Sequence, residues 1–124
     1  MIRSSLWKLE TIPEKSRLAI PYPLGTLDEV RRKILDVRHT KELHSLMSDS
    51  GFYSRFMWDS SVLLVVMDTN DKPKQVNSIV LINASDVKEF YLLYLQLYEL
   101  FGVTLLDEEK DEFIPIRTYK KLYL

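Results

Sequence analysis

This sequence predicts an α+β fold built on one antiparallel sheet, and two observations carry the prediction. Strand-like and helix-like stretches follow each other in the order strand, helix, strand, strand, helix, strand. That βαββαβ order is typical of the ferredoxin-like plan. The length of 124 residues fits one domain. We therefore expect residues 1–124 to form a single globular domain with four to five strands and two main helices.

The composition narrows the functional classes. Apolar residues make up 46% and charged residues 28% of the chain, which is typical of a globular domain. The formal net charge of −1 lacks the basic excess of most nucleic-acid binders. Cysteine is absent, which excludes disulfides, thiolate metal sites and cysteine nucleophiles. With no signal-peptide core and no uninterrupted apolar span, we expect a cytoplasmic protein without a membrane segment.

The first half of the chain predicts one strand, a loop and a long helix. Residues 5–11 alternate in character, as in a half-buried strand. The loop that follows is punctuated by prolines and contains SRLAI, a candidate edge strand. Thr26 and Glu29 then form a capping box, followed by apolar residues at helical spacing. We expect this helix to run from residue 27 to residue 47, with a kink or break near residue 39.

The middle of the chain predicts a β-hairpin. Residues 52–58 alternate and suggest a strand or a packed loop. The run VLLVVM at 62–67 is apolar at every position, which suits a central strand covered on both faces. A turn rich in Asp and Asn joins it to a further strand at 76–82.

An apolar helix is predicted over residues 86–101. Asn83 or Ser85 supplies a candidate N-cap, and Gly102 is the residue type that commonly follows a helix C-terminus. Only a narrow strip of this helix is polar, so one sheet face would not bury all of its apolar side chains.

After this helix we expect two short strands, at 103–106 and 113–119. The acidic stretch between them predicts a solvated loop. Pro115 would confine the last strand to an edge of the sheet, because proline donates no ladder hydrogen bond.

Three tyrosines of the apolar helix are candidate partner-binding residues. Tyr91, Tyr94 and Tyr98 lie at i, i+3 and i+7, so they line up along the helix. Tyrosine joins an apolar ring to a polar hydroxyl and is enriched at protein interfaces. The competing interpretation is a core helix whose hydroxyls reach the edge of the domain.

The acidic loop is the second candidate surface. Asp107, Glu108, Glu109 and Asp111 lie close together there and could imitate an anionic ligand or cover a basic site. From these two surfaces we expect a small interaction protein of inhibitor, immunity or adaptor type that binds without turnover. Its partner would be another protein, or a second copy in a homodimer, contacted through the helix 86–101.

A metal-dependent nuclease or phosphoesterase is the alternative hypothesis. Strand-end aspartates can bind Mg²⁺, and Asp68, Asp71 and Glu109 are the candidates, the last within an ExK triplet. Aspartates are equally common in hairpin turns. His39 and His44 are five residues apart and would not share a helix face. We therefore assign no catalytic residue, metal ligand or cofactor from the sequence.

Nucleic-acid binding is the third hypothesis. Arg31, Arg32 and Arg38 make the outer side of the first helix basic, and the C-terminal RTYKKLYL mixes cations with tyrosines. A solvated polar face on an amphipathic helix explains the same arginines without a ligand.

Overall fold

The computed structural model describes residues 3–43, 46–48, 51–69, 74–84 and 87–124. Nine strands lie in this part of the chain: β1 (Arg3–Leu9), β2 (Pro21–Tyr22), β3 (Thr40–Glu42), β4 (Leu46–Ser48), β5 (Gly51–Trp58), β6 (Val62–Asp68), β7 (Val76–Ile82), β8 (Thr104–Asp107) and β9 (Glu112–Ile114). Three α-helices accompany them: α1 (Leu27–Leu35), α2 (Val87–Phe101) and α3 (Ile116–Tyr123). A 3₁₀ turn at Ser16–Leu18 interrupts the loop between β1 and β2.

Eight of these strands form one antiparallel sheet, and β2 pairs only with the end of β1. Across the sheet the order is β3, β5, β6, β7, β1, β8, β9, with β4 beside β3 along the same edge of β5. The first strand of the chain thus lies in the interior of the sheet, between β7 and β8. Because each neighbour is antiparallel, β7 and β8 run in the same direction, and α2 connects them past β1.

The predicted α+β class is confirmed, but the sheet has more strands than the four to five expected. The ferredoxin-like order is not confirmed. The chain places β3, β4 and β5 between α1 and β6, and it adds β9 and α3 after β8. The added strands widen the sheet on both sides of its central strands.

The prediction that the first helix reaches residue 47 is wrong, since α1 ends at Leu35. His39 has a φ of 65°, a left-handed conformation through which an α-helix does not continue. From Thr40 onward the chain pairs with β5, first as β3 and then as β4. The apolar residues after position 40 fitted helical spacing, but so short a run does not distinguish a helix from a strand. His44 lies outside the described residues.

The predicted strand over 113–119 is wrong for most of its length. Only Glu112–Ile114 is a strand, and α3 follows at once. Pro115 is the residue directly before this helix, where its missing N–H removes no helical hydrogen bond. Its carbonyl accepts the first helical hydrogen bond from the Tyr119 N–H, at 2.8 Å.

Two predicted helix ends are confirmed. The Glu29 N–H donates to the Thr26 hydroxyl at 3.2 Å, and that hydroxyl donates to the Glu29 carboxylate at 3.1 Å, so Glu29 does not reach the Thr26 amide as a capping box would require. Gly102 has a φ of 66° and its N–H donates to the Tyr98 carbonyl at 2.7 Å, as expected after a helix C-terminus. At the start of α2, Ser85 lies outside the described residues.

The helices and one face of the sheet enclose the hydrophobic core. The side chains involved come from inward positions of the strands and from all three helices, and they include Leu6, Phe56, Leu64, Val66, Ile79, Leu81, Leu105, Val30, Ile34, Phe90, Leu93, Leu97 and Tyr119. α3 packs on α2 through Tyr119. The centroid of its ring lies 5.6 Å from that of Phe90 and 5.8 Å from that of Tyr94, both in edge-to-face geometry. None of the helices in the described part of the chain is long and apolar enough to cross a membrane.

Candidate functional site

The face of the sheet opposite the helices carries an apolar surface that stays open to solvent. We call it the open face and define it by the outward side chains of β5, β6 and β7: Tyr53, Arg55, Met57, Leu63, Val65, Met67, Ser78, Val80 and Ile82. All nine side chains remain at least partly exposed, and Met67 is 41% exposed. An antiparallel sheet with one solvated face ordinarily carries polar side chains there.

The strand register arranges the open face in rows. Met57, Leu63 and Ile82 lie opposite one another across β5, β6 and β7. The next row is Arg55, Val65 and Val80. Because paired side chains on one sheet face lie about 4.5–5.5 Å apart at Cβ, each row is a continuous contact surface.

One sequence signal pointed to this surface. The run VLLVVM predicted a strand covered on both faces, and the helices cover only the face that bears Val62, Leu64 and Val66. In the described residues no helix packs on the side of Leu63 and Val65. The pattern was visible in the sequence, but it could not say which of the two sides would be left open.

Arg55 places a positive charge among these aliphatic side chains. Its Nε is buried and has no hydrogen-bond partner in the described structure. The other charged residues at outward positions of the described strands are Lys41 at the β3 edge and Arg3, which forms an ion pair with Glu108 at 2.7 Å. No acidic residue occupies an outward position of these described strands. The open face is therefore apolar with a basic character.

The segment between β1 and α1 extends the apolar surface on the same side of the sheet. Its 3₁₀ turn lies over Trp7, Leu106 and Phe113 and leaves a cleft of about 350 Å³. Ile20 of this segment is 80% exposed, and Ile12, Leu18 and Tyr22 are also exposed.

The three predicted tyrosines have different environments. Tyr94 is fully buried, its hydroxyl donates to the Ile114 carbonyl at 2.8 Å, and it accepts from the Leu105 N–H at 2.9 Å. Burial raises the pKa of this phenol well above its ordinary value. Tyr91 stacks on Tyr119, with ring centroids 6.3 Å apart. Tyr98 is 43% exposed. The stripe is thus shared between core and surface, and Tyr94 has no surface to offer a partner.

The predicted acidic loop is the turn of the β8–β9 hairpin. Asp107 is buried and accepts hydrogen bonds from the N–H groups of Glu109 and Lys110 at 3.1 and 3.3 Å, as turn aspartates do. Glu108 pairs with Arg3. Asp111 has a left-handed φ of 55° and accepts a hydrogen bond from the Ser16 hydroxyl. Three of the acidic side chains of this loop therefore make contacts within the protein that stabilise the hairpin and its surroundings.

The residues of the metal hypothesis do not come together. Asp68 ends β6, and Glu109 follows β8, which runs antiparallel to β6, so the two carboxylates lie at opposite ends of the sheet. Asp71 lies outside the described residues. Within the residues that the structure describes, no group of three or more His, Cys, Asp or Glu side chains could hold a metal ion.

The basic side of α1 is largely paired with carboxylates. The Nε of Arg31 lies 2.8 and 3.0 Å from the two carboxylate oxygens of Glu42, and this contact raises the pKa of Arg31. Arg32 forms an ion pair with Asp28 at 3.0 Å. Arg38 and His39 are exposed past the end of the helix.

The chain was compared with protein-family models, curated proteins and solved structures, and none of them matches it.

Proposed function

We propose that this protein is a small interaction module, of inhibitor, immunity or adaptor type, that binds another protein through the open face and catalyses no reaction. The observation that carries the proposal is the pair of continuous rows on β5, β6 and β7, in which five partly exposed apolar side chains surround Arg55. An exposed contiguous apolar patch on a small protein marks an interaction site more often than a free surface. The absence of cysteine is compatible with work in the cytoplasm, which we propose as its compartment.

The composition of the open face suits a protein interface. Tyrosine, methionine and arginine are enriched in the centres of interfaces, and Tyr53, Met57 and Arg55 lie side by side along the outward side of β5. A partner that covers Val65 and Val80 would also exclude water from Arg55. A desolvated cation requires a compensating acceptor, because an unpaired buried charge is strongly unfavourable.

This requirement defines the partner's chemistry. The Nε of Arg55 has no hydrogen-bond acceptor in the described structure, and the described strands place no carboxylate on the open face. The acceptor for this N–H must therefore come from the partner. We propose a different protein that presents an aliphatic segment with an acidic residue facing Arg55. Such charge complementarity sets register and association rate as well as affinity.

A homodimer is less compatible with the open face. A twofold axis through the rows of β5 and β6 would bring the Arg55 side chains of two copies near each other, and like charges facing each other disfavour a pairing. Helix α2 offers less apolar surface to a partner than its sequence suggests, because α3 and the core cover much of its apolar side. Leu92 and Tyr98 remain exposed there as a secondary contact region.

The two alternative functions have weaker support. A phosphoester enzyme would need Asp68 and Glu109 in one site, and the antiparallel run of β6 and β8 separates them. A nucleic-acid binder would need unpaired cations, and Arg31 and Arg32 of α1 engage Glu42 and Asp28.

Selection of binding peptides tests the proposal directly. The protein is immobilised and exposed to a displayed library of random peptides. We expect enrichment of sequences that combine aliphatic with acidic residues. Val65→Lys places a charge in the middle of the open face and is expected to abolish capture of these peptides. The matched control is Leu122→Lys, an equally drastic change on the exposed side of α3.

A charge reversal sharpens the same experiment. Arg55→Glu is expected to reject the acidic peptides and to select basic ones, while Lys121→Glu on α3 makes the same change in net charge and is expected to retain the original set. Circular dichroism establishes that each variant is folded. If neither Val65→Lys nor Arg55→Glu changes which peptides are captured, the open face is not the binding surface. A dimer in light scattering that Val65→Lys converts to a monomer would assign the open face to a second copy instead.

A further inference from the structure

A second cleft lies where α1 begins, near the end of β6. A cleft of about 520 Å³ is bounded by the first residues of α1, by the first half of β5, by the end of β6 and by the residue Lys74 just before β7. Its lining consists of Thr26, Leu27, Asp28, Arg31, Ser54, Asp68 and Lys74. Ser54 pairs with Val66 and lies on the helix-covered face of the sheet, so most of this cleft is separate from the rows of the open face. Asp68, at the end of β6, also borders a smaller cleft beside Val65, Met67 and Val80.

Asp68 is the unusual residue of the cleft. It is only 8% exposed, and its Oδ1 is buried without a hydrogen-bond partner in the described structure. A carboxylate oxygen that has lost its water and found no donor is a costly arrangement. The oxygen therefore needs a donor from outside the cleft or from a side chain that moves.

The cations within the cleft do not supply this donor as they stand. The Nε of Arg31 donates to both carboxylate oxygens of Glu42. Its Nη1 lies 4.0 Å from Oδ1 of Asp28. Lys74 is exposed just before β7 and donates no hydrogen bond to Oδ1. With Arg31 matched by Glu42 and Asp28 paired with Arg32, the charges of the cleft without an ion-pair partner in the described structure are the carboxylate of Asp68 and the ammonium of Lys74.

The shape and chemistry of the cleft suggest a ligand with an apolar part and a positively charged part. Leu27 and the methyl group of Thr26 offer apolar contact beside the carboxylate of Asp68. Aliphatic stems with a charged end use such surfaces well, because the stem packs while the end keeps its hydrogen bonds. A divalent metal ion is disfavoured, since the described lining combines two carboxylates with two cations and contains no third acidic residue.

From these contacts we propose that the cleft binds an ammonium or guanidinium group carried on an aliphatic stem, with Asp68 Oδ1 accepting its hydrogen bond and the stem lying along Leu27. Lys74 is the internal competitor for the same carboxylate. The ligand is either a small free cation or a lysine or arginine side chain. This inference does not depend on the open face or on the function proposed for it.

Calorimetric or NMR titration tests the site with defined probes. Agmatine represents a free cation, and the methylamides of N-acetyl-lysine and N-acetyl-arginine represent side chains. We expect saturable binding that Asp68→Asn weakens about tenfold or more, because a hydrogen bond between charged groups is among the strongest in proteins. Lys74→Met removes the competitor and is expected to tighten binding. Asp36→Asn, an exposed carboxylate at the far end of α1, is the matched control and should leave the affinity unchanged.

The arms of the experiment separate the sources of the ligand. Preference for agmatine indicates a free cation, and preference for a capped amino acid indicates a side chain. The proposal is overturned if no probe binds saturably to either the wild type or Lys74→Met. Equal affinity of wild type and Asp68→Asn overturns it as well, and so does saturable binding of the dianion glutarate that Lys74→Met abolishes.

Discussion

The hydroxyl of Tyr94 joins two neighbouring strands from inside the core. It bridges the Leu105 N–H of β8 and the Ile114 carbonyl of β9, both within 2.9 Å. Those two backbone groups would otherwise be buried without partners, because no solvent reaches them beneath α2. A tyrosine in the middle of an apolar helix thus has a structural reason, and its polar end is fully satisfied.

Replacement of Tyr94 by phenylalanine should leave both backbone groups unpaired. We expect the free energy of unfolding to fall by about 1–3 kcal/mol. Urea denaturation followed by circular dichroism measures this loss. Tyr98→Phe removes an exposed hydroxyl from the same helix and is expected to change stability by less than about 0.5 kcal/mol. Equal effects of the two substitutions would contradict the bridging role of Tyr94.

The raised pKa of Tyr94 adds a pH dependence to the same comparison. The folded state holds the proton more tightly than the unfolded state, whose tyrosines titrate near pH ~10. Stability is therefore fully present below about pH 10 and is lost as pH rises, by up to about 1.4 kcal/mol for each pH unit. Tyr94→Phe should show a smaller alkaline loss than wild type. A slope that is the same in both proteins would argue against a buried, protonated Tyr94.

At the scale of elements, the contact between α2 and α3 explains why α2 is so apolar. α2 is apolar around most of its circumference because the core covers one side and α3 covers a second. The aromatic cluster between them includes Phe90, Tyr91, Tyr94, Tyr119 and Tyr123. The apolar surplus that suggested an external partner is in large part an internal contact with the last helix of the chain.

Truncation of Tyr119 should reveal the strength of this contact. Tyr119 is fully buried, so Tyr119→Ala is expected to lower the free energy of unfolding by about 3–5 kcal/mol, as for other large buried aromatic residues. Leu122→Ala in the same helix, where the side chain is 62% exposed, should cost less than about 0.5 kcal/mol. Chemical denaturation of both variants gives the comparison. A mild effect of Tyr119→Ala would mean that α3 contributes little to the folded state.

The whole molecule depends on its first strand. β1 pairs with β7 on one side and β8 on the other, so residues near the start of the chain hold together elements that lie far along it. The outer strands have fewer partners, since β3 and β4 share one edge of β5 and β9 pairs only with β8. Local openings should therefore begin at the margins of the sheet, where fewer hydrogen bonds must break.

Native-state hydrogen exchange measures this hierarchy. We expect the amides of β1, β6 and β7 to exchange most slowly, at rates set by global unfolding, and those of β3 and β9 to exchange through smaller openings. Exchange from β1 that is as fast as that from β3 would show that the N-terminal strand detaches on its own.

The parts of the fold that could be predicted are those that short stretches of sequence encode. The start of α1 follows from Thr26 and Glu29, and the end of α2 follows from Gly102. The hairpin of β6 and β7 follows from two apolar runs and a turn between them. Local hydrogen bonds and local backbone conformations decide each of these features, so a few residues suffice. The candidate site could be predicted only in part. The run VLLVVM indicated that both sides of β6 are apolar, but it did not indicate which side the helices would cover.

What the sequence by itself determined about this protein is its α+β class, its two principal helix boundaries and the absence of cysteine chemistry. Only the tertiary structure decided that residues 40–42 and 46–48 pair with β5, that a helix begins directly after Pro115, and that Tyr94 is buried while Leu63 and Val65 face outward. It also decided that Asp68 and Glu109 stand at opposite ends of the sheet. The physical reason is that an apolar pattern states how much surface must be buried, whereas the partner that buries it comes from a distant part of the chain.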